Sequence, residues 1–447
     1  MTFPEDFINR MKAMLGDEYS DFEKSFSQEI PSRGIRINTL KDGAEEKVLE
    51  KTEEYERVSW CENGYRARGE MPGGRHPYHA SGLFYFQEPS AMSAVPQLGI
   101  KPGMRVLDLC AAPGGKATQG AAYLKGEGLI VANEIIAKRA AILSENIERL
   151  GVKNAVVTNE TPQKLSEKYP EFFDRIILDA PCSGEGMFRK EPQAVTEWSL
   201  AHVETCAVRQ KHIADCAVKM LAPGGRLVYS TCTFAPSENE GVAEYIINTY
   251  PDMKLVKVEA EGLSEGNGKW INSDTDMSLT ARIFPHKAEG EGHFIALFEK
   301  SGAGVSDIMT AKEIKSKEYD EFCKKFLANP LKGVLISFGD TLYLLPEGIN
   351  IDKIKVVRAG LELGEVRKGR FIPSHALALA LKKEDFKNTI DFDSESEEIK
   401  KFLRGETIDA DIEGWCCVLA DGYPIGWAKG SGGVLKNHYP KHLRNLK

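Results

Sequence analysis

Asp108-Leu109-Cys110-Ala111-Ala112-Pro113-Gly114-Gly115-Lys116 is the stretch on which the fold reading turns. It follows a short apolar run, Val106 to Leu109, and leads into a helical pattern. Glycine lets backbone approach a ligand closely, and the first turn of a helix presents N–H groups that favour a carboxylate or phosphate. Lys116 adds positive charge to that turn. A glycine-rich turn also serves as a plain tight connection between a strand and a helix.

Outward from this turn, short apolar runs alternate with longer helical patterns. Val106 to Leu109, Leu129 to Ala132, Ala155 to Val157, Ile176 to Leu178 and Leu227 to Tyr229 read as buried strands. That alternation predicts an α/β fold with a parallel sheet and helical crossovers. The longest helix is expected over Leu200 to Leu221, ending at Pro223-Gly224-Gly225, with the next strand starting at once. Ser237-Glu238-Asn239-Glu240 reads as a capping box opening another helix. Ala281 to Pro285 and His293 to Phe298, with Gly290 and Gly292 between them, read as a closing antiparallel hairpin.

The flanks are organised differently. Residues 1–80 combine an amphipathic start, Phe3 to Leu15, with a largely alternating run, Arg33 to Leu40, which predicts a small N-terminal α/β module. The Gly/Pro/His-rich stretch Met71 to His79 marks a boundary, after which residues 81–300 form the expected catalytic domain. Ser301 to Asp307 reads as a linker, and residues 308–447 as a C-terminal region of short strands and charged helices.

Bulk properties exclude several classes. The chain has 447 residues, 42% of them hydrophobic and 28% charged, which is ordinary globular composition and implies more than one domain. No apolar run approaches the ~18 residues of a membrane span, and the start Met1-Thr2-Phe3-Pro4 lacks the basic and apolar regions of a secretion signal, so a cytoplasmic protein without membrane contact is expected. The nine cysteines include no Cys-x-x-Cys pair, which argues against a disulfide scaffold or structural metal. His76 and His79 lack the further ligands that zinc needs and read as surface or hydrogen-bonding groups. Net charge is -8, so any nucleic-acid site must be a local patch.

Three further positions carry chemistry. Glu134 ends the second strand, where an acid suits the two hydroxyls of a ribose, although a solvated strand-end acid fits the sequence equally well. Asp179-Ala180-Pro181-Cys182 and Ser230-Thr231-Cys232 each close a strand. Ligands of open α/β sheets bind beyond the carboxyl ends of strands, so both thiols can face the cofactor crevice. Cys206 and Cys216, by contrast, read as small buried hydrophobes. Carbon 5 of cytosine is a poor nucleophile until a thiolate adds to carbon 6, and a second group near the base then helps to release the adduct. A free thiol ionises near pH ~8.5, so the attacking one is expected in a polar, partly cationic setting.

Together, Asp108 to Lys116, DAPCSGEGMFRK over 179–190 and YSTCTFAPSENE over 229–240 resemble the Sun (Fmu) family of RNA 5-methylcytosine methyltransferases. The layout is similar to its bacterial RsmF-type members, which modify 16S ribosomal RNA, and the resemblance spans nearly the whole chain. It implies a Rossmann-like sheet that uses S-adenosylmethionine, with a PUA-like RNA-binding C-terminal end. It also implies that Cys232 is the nucleophile, that Cys182 helps to resolve the adduct, and that Asp179 sits between cofactor and cytosine. Cys110, Ala111, Ala112, Pro113, Gly114, Gly115 and Lys116 would bind the cofactor, with Glu134 on its ribose. The family often places an Asp near the adenine; the segment here is Asn159-Glu160-Thr161, and Thr161 takes the position. Gln87 to Met92 resembles the family's entry into the catalytic domain.

The last stretch, Gly422 to Lys447, holds Lys429, Lys436, Lys441, Arg444 and Lys447 with Tyr423, Trp427 and Tyr439 interleaved. Basic groups beside aromatics suit phosphate contact and base stacking, and the expected partner is RNA, in 16S form or in the small ribosomal subunit. Other classes share parts of this pattern. A nicotinamide dehydrogenase would share the sheet and Glu134, but the turn lacks G-x-G-x-x-G and the thiols would be idle. A non-catalytic RNA-binding protein, or one that methylates adenine, needs neither thiol, and a DNA cytosine methyltransferase would attack with the Pro-Cys thiol, Cys182. A tRNA cytosine methyltransferase of the same family fits the motifs as well.

Overall fold

The computed structural model describes residues 3–27, 33–50, 55–68, 72–259, 261–288, 290–304 and 309–445. Met71, part of the expected 301–307 linker, and Lys447 lie outside them. At the centre is a mixed sheet whose parallel part runs, in spatial order, Leu221–Thr231, Phe173–Asp179, Arg105–Asp108, Leu129–Asn133, Ala155–Thr158. Each predicted strand is present. Their unbroken apolar runs follow from burial on both faces, since successive side chains leave a strand on opposite sides. Leu107, Val131, Val156, Leu178 and Tyr229 enter one core, and Val106, Ile130, Val157, Ile177 and Val228 the other.

The chain winds outward from Arg105–Asp108 to Ala155–Thr158, then returns to place Phe173–Asp179 on the other side of the first strand. The reversal opens a crevice at the carboxyl ends of Arg105–Asp108 and Phe173–Asp179. The predicted hairpin is present too: Ala281–Ile283 pairs antiparallel with His293–Lys300, and Phe294 lies opposite Thr231. His293 therefore stands beside the end of the strand that carries Cys232.

The long helix is present as expected: Leu200–Met220 is capped by the Ser199 hydroxyl and the strand Leu221–Thr231 starts at once, taking in Pro223-Gly224-Gly225, where pairing with Phe173–Asp179 shifts register. One local expectation fails. No capping box forms at Ser237 to Glu240. The helix Glu240–Thr249 starts at Asn239 without a side-chain cap, because both acids are committed elsewhere, Glu238 to Ser183 and Glu240 to Arg282.

Before the catalytic sheet stands a four-stranded antiparallel sheet ordered Tyr55–Arg57, Gly64–Ala67, Arg33–Ile37, Phe84–Phe86. Phe84–Phe86 thus belongs to the N-terminal sheet, beyond the expected boundary at residue 80. The amphipathic start forms the helix Glu5–Leu15, and Phe3, Phe7, Phe22 and Phe26 pack against Phe188, Trp198 and Phe234 from the catalytic loops. His76 caps the helix Pro77–Ala80 by accepting the Tyr78 N–H, and His79 stacks on Phe86.

The C-terminal region contains two sheets. The first is ordered Val334–Phe338, Thr341–Leu345, Leu361–Arg367, Arg370–Pro373, and the second Thr389–Phe392, Gly414–Ala420, Tyr423–Ser431, Val434–Asn437, Ile408–Asp409. Between strands of the first, the chain sends Val356–Ala359 back to pair antiparallel with Ala155–Thr158, which closes that edge of the catalytic sheet. The stacking role expected of the tail aromatics is overturned for Trp427 and Tyr439. Trp427 is 2% exposed and its indole N–H donates to the Ser374 carbonyl at 2.8 Å; Tyr439 is buried against Phe402 and His375. The strand Tyr423–Ser431 is covered on both faces, by the cluster containing Leu377 and by that containing Ile399 and Phe402, so Trp427 is core, while Tyr423 at its start is half-buried and donates to the Asp42 carbonyl at 2.8 Å. Lys429, Lys436 and Lys441 remain exposed.

Candidate active site

The quoted turn lies where the strand order reverses. Gly114 has φ +115° and forms the N-cap of the helix Gly115–Leu124; a Cβ there would come within 3.2 Å of Leu143. The turn is held from several sides. Arg139 donates to the Ala112 carbonyl at 2.9 Å and Asn146 to the Pro113 carbonyl at 2.9 Å. From the N-terminal sheet, the buried Arg36 donates to Gln87 Oε1 at 2.8 Å, the Gly115 carbonyl at 3.1 Å and Thr118 Oγ1 at 2.7 Å. Gln87, expected only as an entry segment, is therefore a link in this brace.

Charge in the crevice is distributed differently from the sequence expectation. Lys116 Nζ lies 2.9 Å from Asp179 Oδ2, so its charge serves Asp179 rather than standing free for an anion. Asp179 also accepts from Ser230 Oγ at 2.8 Å, and Lys116, His293 and these hydrogen bonds together hold its carboxyl below the usual range against the cost of burial. Asp108, which sequence reasoning did not single out, is fully buried, and among the described residues no side chain hydrogen-bonds its carboxylate; only the Cys110 backbone faces it. Burial and the neighbouring Asp179 push it up to about 8. An unpaired buried carboxylate calls for a donor or a cation. S-adenosylmethionine carries an ammonium and a sulfonium, so this orphaned acid fits it.

Glu134 directly follows Leu129–Asn133 and is 4% exposed; its Oε1 accepts the Ile136 N–H at 2.8 Å. Asn159 Nδ2 donates to the Glu134 carbonyl at 2.7 Å, which brings the Asn159-Glu160-Thr161 segment beside it. Within that segment Glu160 turns to Lys164 and the Lys355 backbone, while Thr161 is exposed and caps the helix Pro162–Lys168, accepting the Lys164 N–H at 3.3 Å. Cys110 is a third thiol in the turn, and burial among Asp108, Asp179 and Glu134 raises it well above the ordinary range, so it stays protonated.

Cys182 and Cys232 are brought together, with 3.3 Å between sulfurs. The hydrogen bond to Cys232 and burial raise Cys182 well above an ordinary thiol, and either sulfur can donate in that contact. Besides burial, the groups acting on Cys182 are Cys232 and Glu238. A protonated thiol donating to a second sulfur stabilises negative charge on it. Around the pair, Glu185 accepts from Arg10 at 2.6 Å, the Trp198 indole at 2.7 Å and the Phe234 N–H at 3.0 Å, tying the N-terminal helix to both thiol loops. Glu185 and Glu238 lie inside the motifs and Arg36 in the alternating run Arg33 to Leu40, but a single polar position gives no signal of the distant partner that it will meet.

Comparison with known proteins matches this architecture throughout. Residues 95–299 match the family described as 16S rRNA methyltransferase RsmB/F, and residues 3–89 the N-terminal domain of 16S rRNA methyltransferase RsmF. Residues 321–381 match the RsmF first C-terminal domain and residues 389–445 the RsmF PUA domain. Ribosomal RNA small subunit methyltransferase F of Escherichia coli O17:K52:H18 is 33% identical over 99% of this chain and 96% of its own length. Among solved structures, a methyltransferase homolog from Pyrococcus horikoshii superposes with TM-score 0.60 at 29% identity, covering 67% of this chain and 95% of that one. NSun6 from Pyrococcus horikoshii gives TM-score 0.60 at 25% identity, covering 67% and 99%. The chain belongs to the RsmB/F family of 16S rRNA methyltransferases and has the fold of an S-adenosylmethionine-dependent RNA methyltransferase.

Proposed function

We propose that this protein methylates carbon 5 of a cytosine in 16S ribosomal RNA through a covalent adduct on Cys232. The observation that carries the reading is the Cys182–Cys232 pair, 3.3 Å apart at the ends of adjacent strands, with Asp179 on the same strand end as Cys182. Bound S-adenosylmethionine would supply a methyl group on a positively charged sulfur. Cys110 to Lys116 would hold it, with Glu134 on its ribose, Asp179 toward the base and Thr161 near the adenine; the orphaned Asp108 adds an acceptor for its ammonium.

Cys232 adds as thiolate to carbon 6 of the ring, the C6–S bond forms, and the displaced electron pair makes carbon 5 nucleophilic. After carbon 5 has been methylated, its proton must leave while the C6–S bond breaks and restores the aromatic ring. With a proton on Sγ, Cys182 would donate to Cys232 across the 3.3 Å contact and stabilise the attacking thiolate first and the departing thiolate later. The exposed Lys429, Lys436 and Lys441 supply local phosphate contacts on a chain whose net charge is -8. Such a substrate places the enzyme in the cytoplasm.

The test is methyl transfer from labelled S-adenosylmethionine to 16S rRNA, small subunits and tRNA, with the product nucleoside identified. Cys232→Ala should abolish 5-methylcytidine, and Cys182→Ala should accumulate a covalent protein–RNA adduct. An adduct trapped by Cys232→Ala and not by Cys182→Ala would reverse the two roles. Transfer to tRNA alone would move the substrate within the family.

A further inference from the structure

Glu238 connects the two thiol loops, and its two ends are attached to different ones. Its side chain is fully buried and faces the Cys182 loop: Oε2 accepts the Ser183 N–H at 3.0 Å and Oε1 accepts the Ser183 hydroxyl at 2.5 Å. Gln210 Nε2, from the helix Leu200–Met220, donates to the same carboxylate at 2.8 Å and to the Pro181 carbonyl at 3.0 Å, so residues on both sides of Cys182 are held. Its backbone belongs to the other loop. The Glu238 carbonyl accepts from Tyr229 Oη at 2.6 Å, and Tyr229 lies three residues before Cys232. Ser183 Oγ and Thr233 Oγ1, one residue beyond each cysteine, are themselves 2.8 Å apart.

Backbone bonds also join the loops, on either side of Cys182. The Ala180 N–H bonds the Ser230 carbonyl before the cysteines, and the Gly186 N–H bonds the Cys232 carbonyl after Cys182. Between those two bonds the Cys182 segment is tied across by the side chains just named.

Resting on the cysteine roles given above, we propose that Glu238 is a positioning residue for the methylation reaction, which sets the Cys182–Cys232 sulfur separation through a clasp on Ser183 and Thr233. Glu238→Gln fits every partner. Its carbonyl oxygen accepts the Ser183 and Gln210 N–H groups, and its amide donates to Ser183 Oγ, whose own proton turns to Thr233. Alanine at 238, or at 183, removes the clasp.

The test has one arm that needs no RNA. In a glutathione redox buffer, two protein thiols and oxidised glutathione give the Cys182–Cys232 disulfide and two reduced glutathiones, with the two electrons lost by the thiols taken up by the glutathione disulfide. The equilibrium constant, read by alkylation and mass on the full chain, reports how well the sulfurs are held for closure to ~2.05 Å. Ser183→Ala and Glu238→Ala should each lower it tenfold or more, about 30 mV in reduction potential. Glu238→Gln should stay within threefold of wild type.

In the second arm, on RNA, Ser183→Ala should slow decay of the Cys232 adduct tenfold while adduct formation changes less than threefold. Unchanged oxidation in Ser183→Ala overturns the proposal, and so does altered oxidation with unchanged adduct decay. If Glu238→Ala does not fold, Ser183→Ala, which removes one hydroxyl, decides. Should wild type methylate no RNA, the functional reading fails while the redox arm still tests the clasp.

Discussion

Replacing Arg36 with methionine separates the N-terminal sheet's part in cofactor binding from its part in stability. Arg36 is 1% exposed and spends its donors on Gln87 Oε1, the Gly115 carbonyl and Thr118 Oγ1. Methionine leaves the Gln87 oxygen and the Gly115 carbonyl buried without that donor, at about 1–3 kcal/mol each. Against this, burial brings the guanidinium down from 12.5 to about 10, so carrying its charge inside costs about 3 kcal/mol that methionine does not incur. The two terms nearly cancel, and the net loss of stability should be at most about 3 kcal/mol. Cofactor binding has no such offset. A hydrogen bond from a charged donor is worth about 1.5–3 kcal/mol, and if its loss frees the Gly114–Gly115 turn, affinity falls about 10- to 100-fold at 1.4 kcal/mol per decade. Calorimetric titration with S-adenosylmethionine, beside urea unfolding without it, measures both. A folded Arg36→Met protein binding within twofold of wild type would refute the brace.

Three other outcomes follow from different layers of the structure. Trp427→Ala should cost about 3–5 kcal/mol in denaturant unfolding, as for other buried large-to-small changes, and leave RNA affinity of the folded fraction unchanged; wild-type stability with weakened RNA binding would restore the stacking role. Burial pushes Glu238 up from 4.5 to about 7, so folding favours its neutral form, and the stability it contributes is full below pH 4.5 and lost as pH rises to 7. Unfolding free energies of Glu238→Gln and wild type should therefore diverge across that window by about 3 kcal/mol, the variant gaining; parallel curves would show that Glu238 titrates normally. Neutralising Lys429, Lys436 and Lys441 together should lower the slope of log affinity against log salt by about 2 for a single-stranded RNA fragment, and an identical slope would place the phosphate contacts elsewhere.

What could be read from the sequence is what repeats or sits in a motif. Strands such as Leu129–Asn133 and Ala155–Thr158 are apolar without a break because both faces are covered, and that is a local signal. The glycine-rich turn and the two strand-end cysteines are local as well. The misreadings share a cause: composition was taken for exposure. Trp427 and Tyr439 alternate with lysines and so look like a binding stripe, yet they point into core shared with Ser374 and Phe402 from distant segments. Ser237 to Glu240 has capping-box spacing, but Arg282, more than 40 residues on, claims Glu240 in a buried pair at 2.5 Å, and Ser183 claims Glu238. A partner far along the chain outweighs a weak local hydrogen bond, and nothing in the local pattern reveals it.

The electrostatics of the site follow from that long-range assembly. Asp108, Glu134 and Asp179 stand in the crevice with Lys116 in direct contact with Asp179, and among the described residues Asp108 has no side-chain partner for either oxygen. A crevice of this composition favours a cationic ligand, and a methyl-bearing sulfonium with an ammonium is one. The same acids disfavour thiolates: Asp108, Asp179 and Glu134 each raise Cys110. Cys182 and Cys232 stand apart from these acids as a pair, 3.3 Å between sulfurs, sharing a hydrogen bond. In the proposed reaction the separation of the two sulfurs governs how well one stabilises the other, and that separation is what the clasp of Glu238, Ser183 and Thr233 is proposed to set.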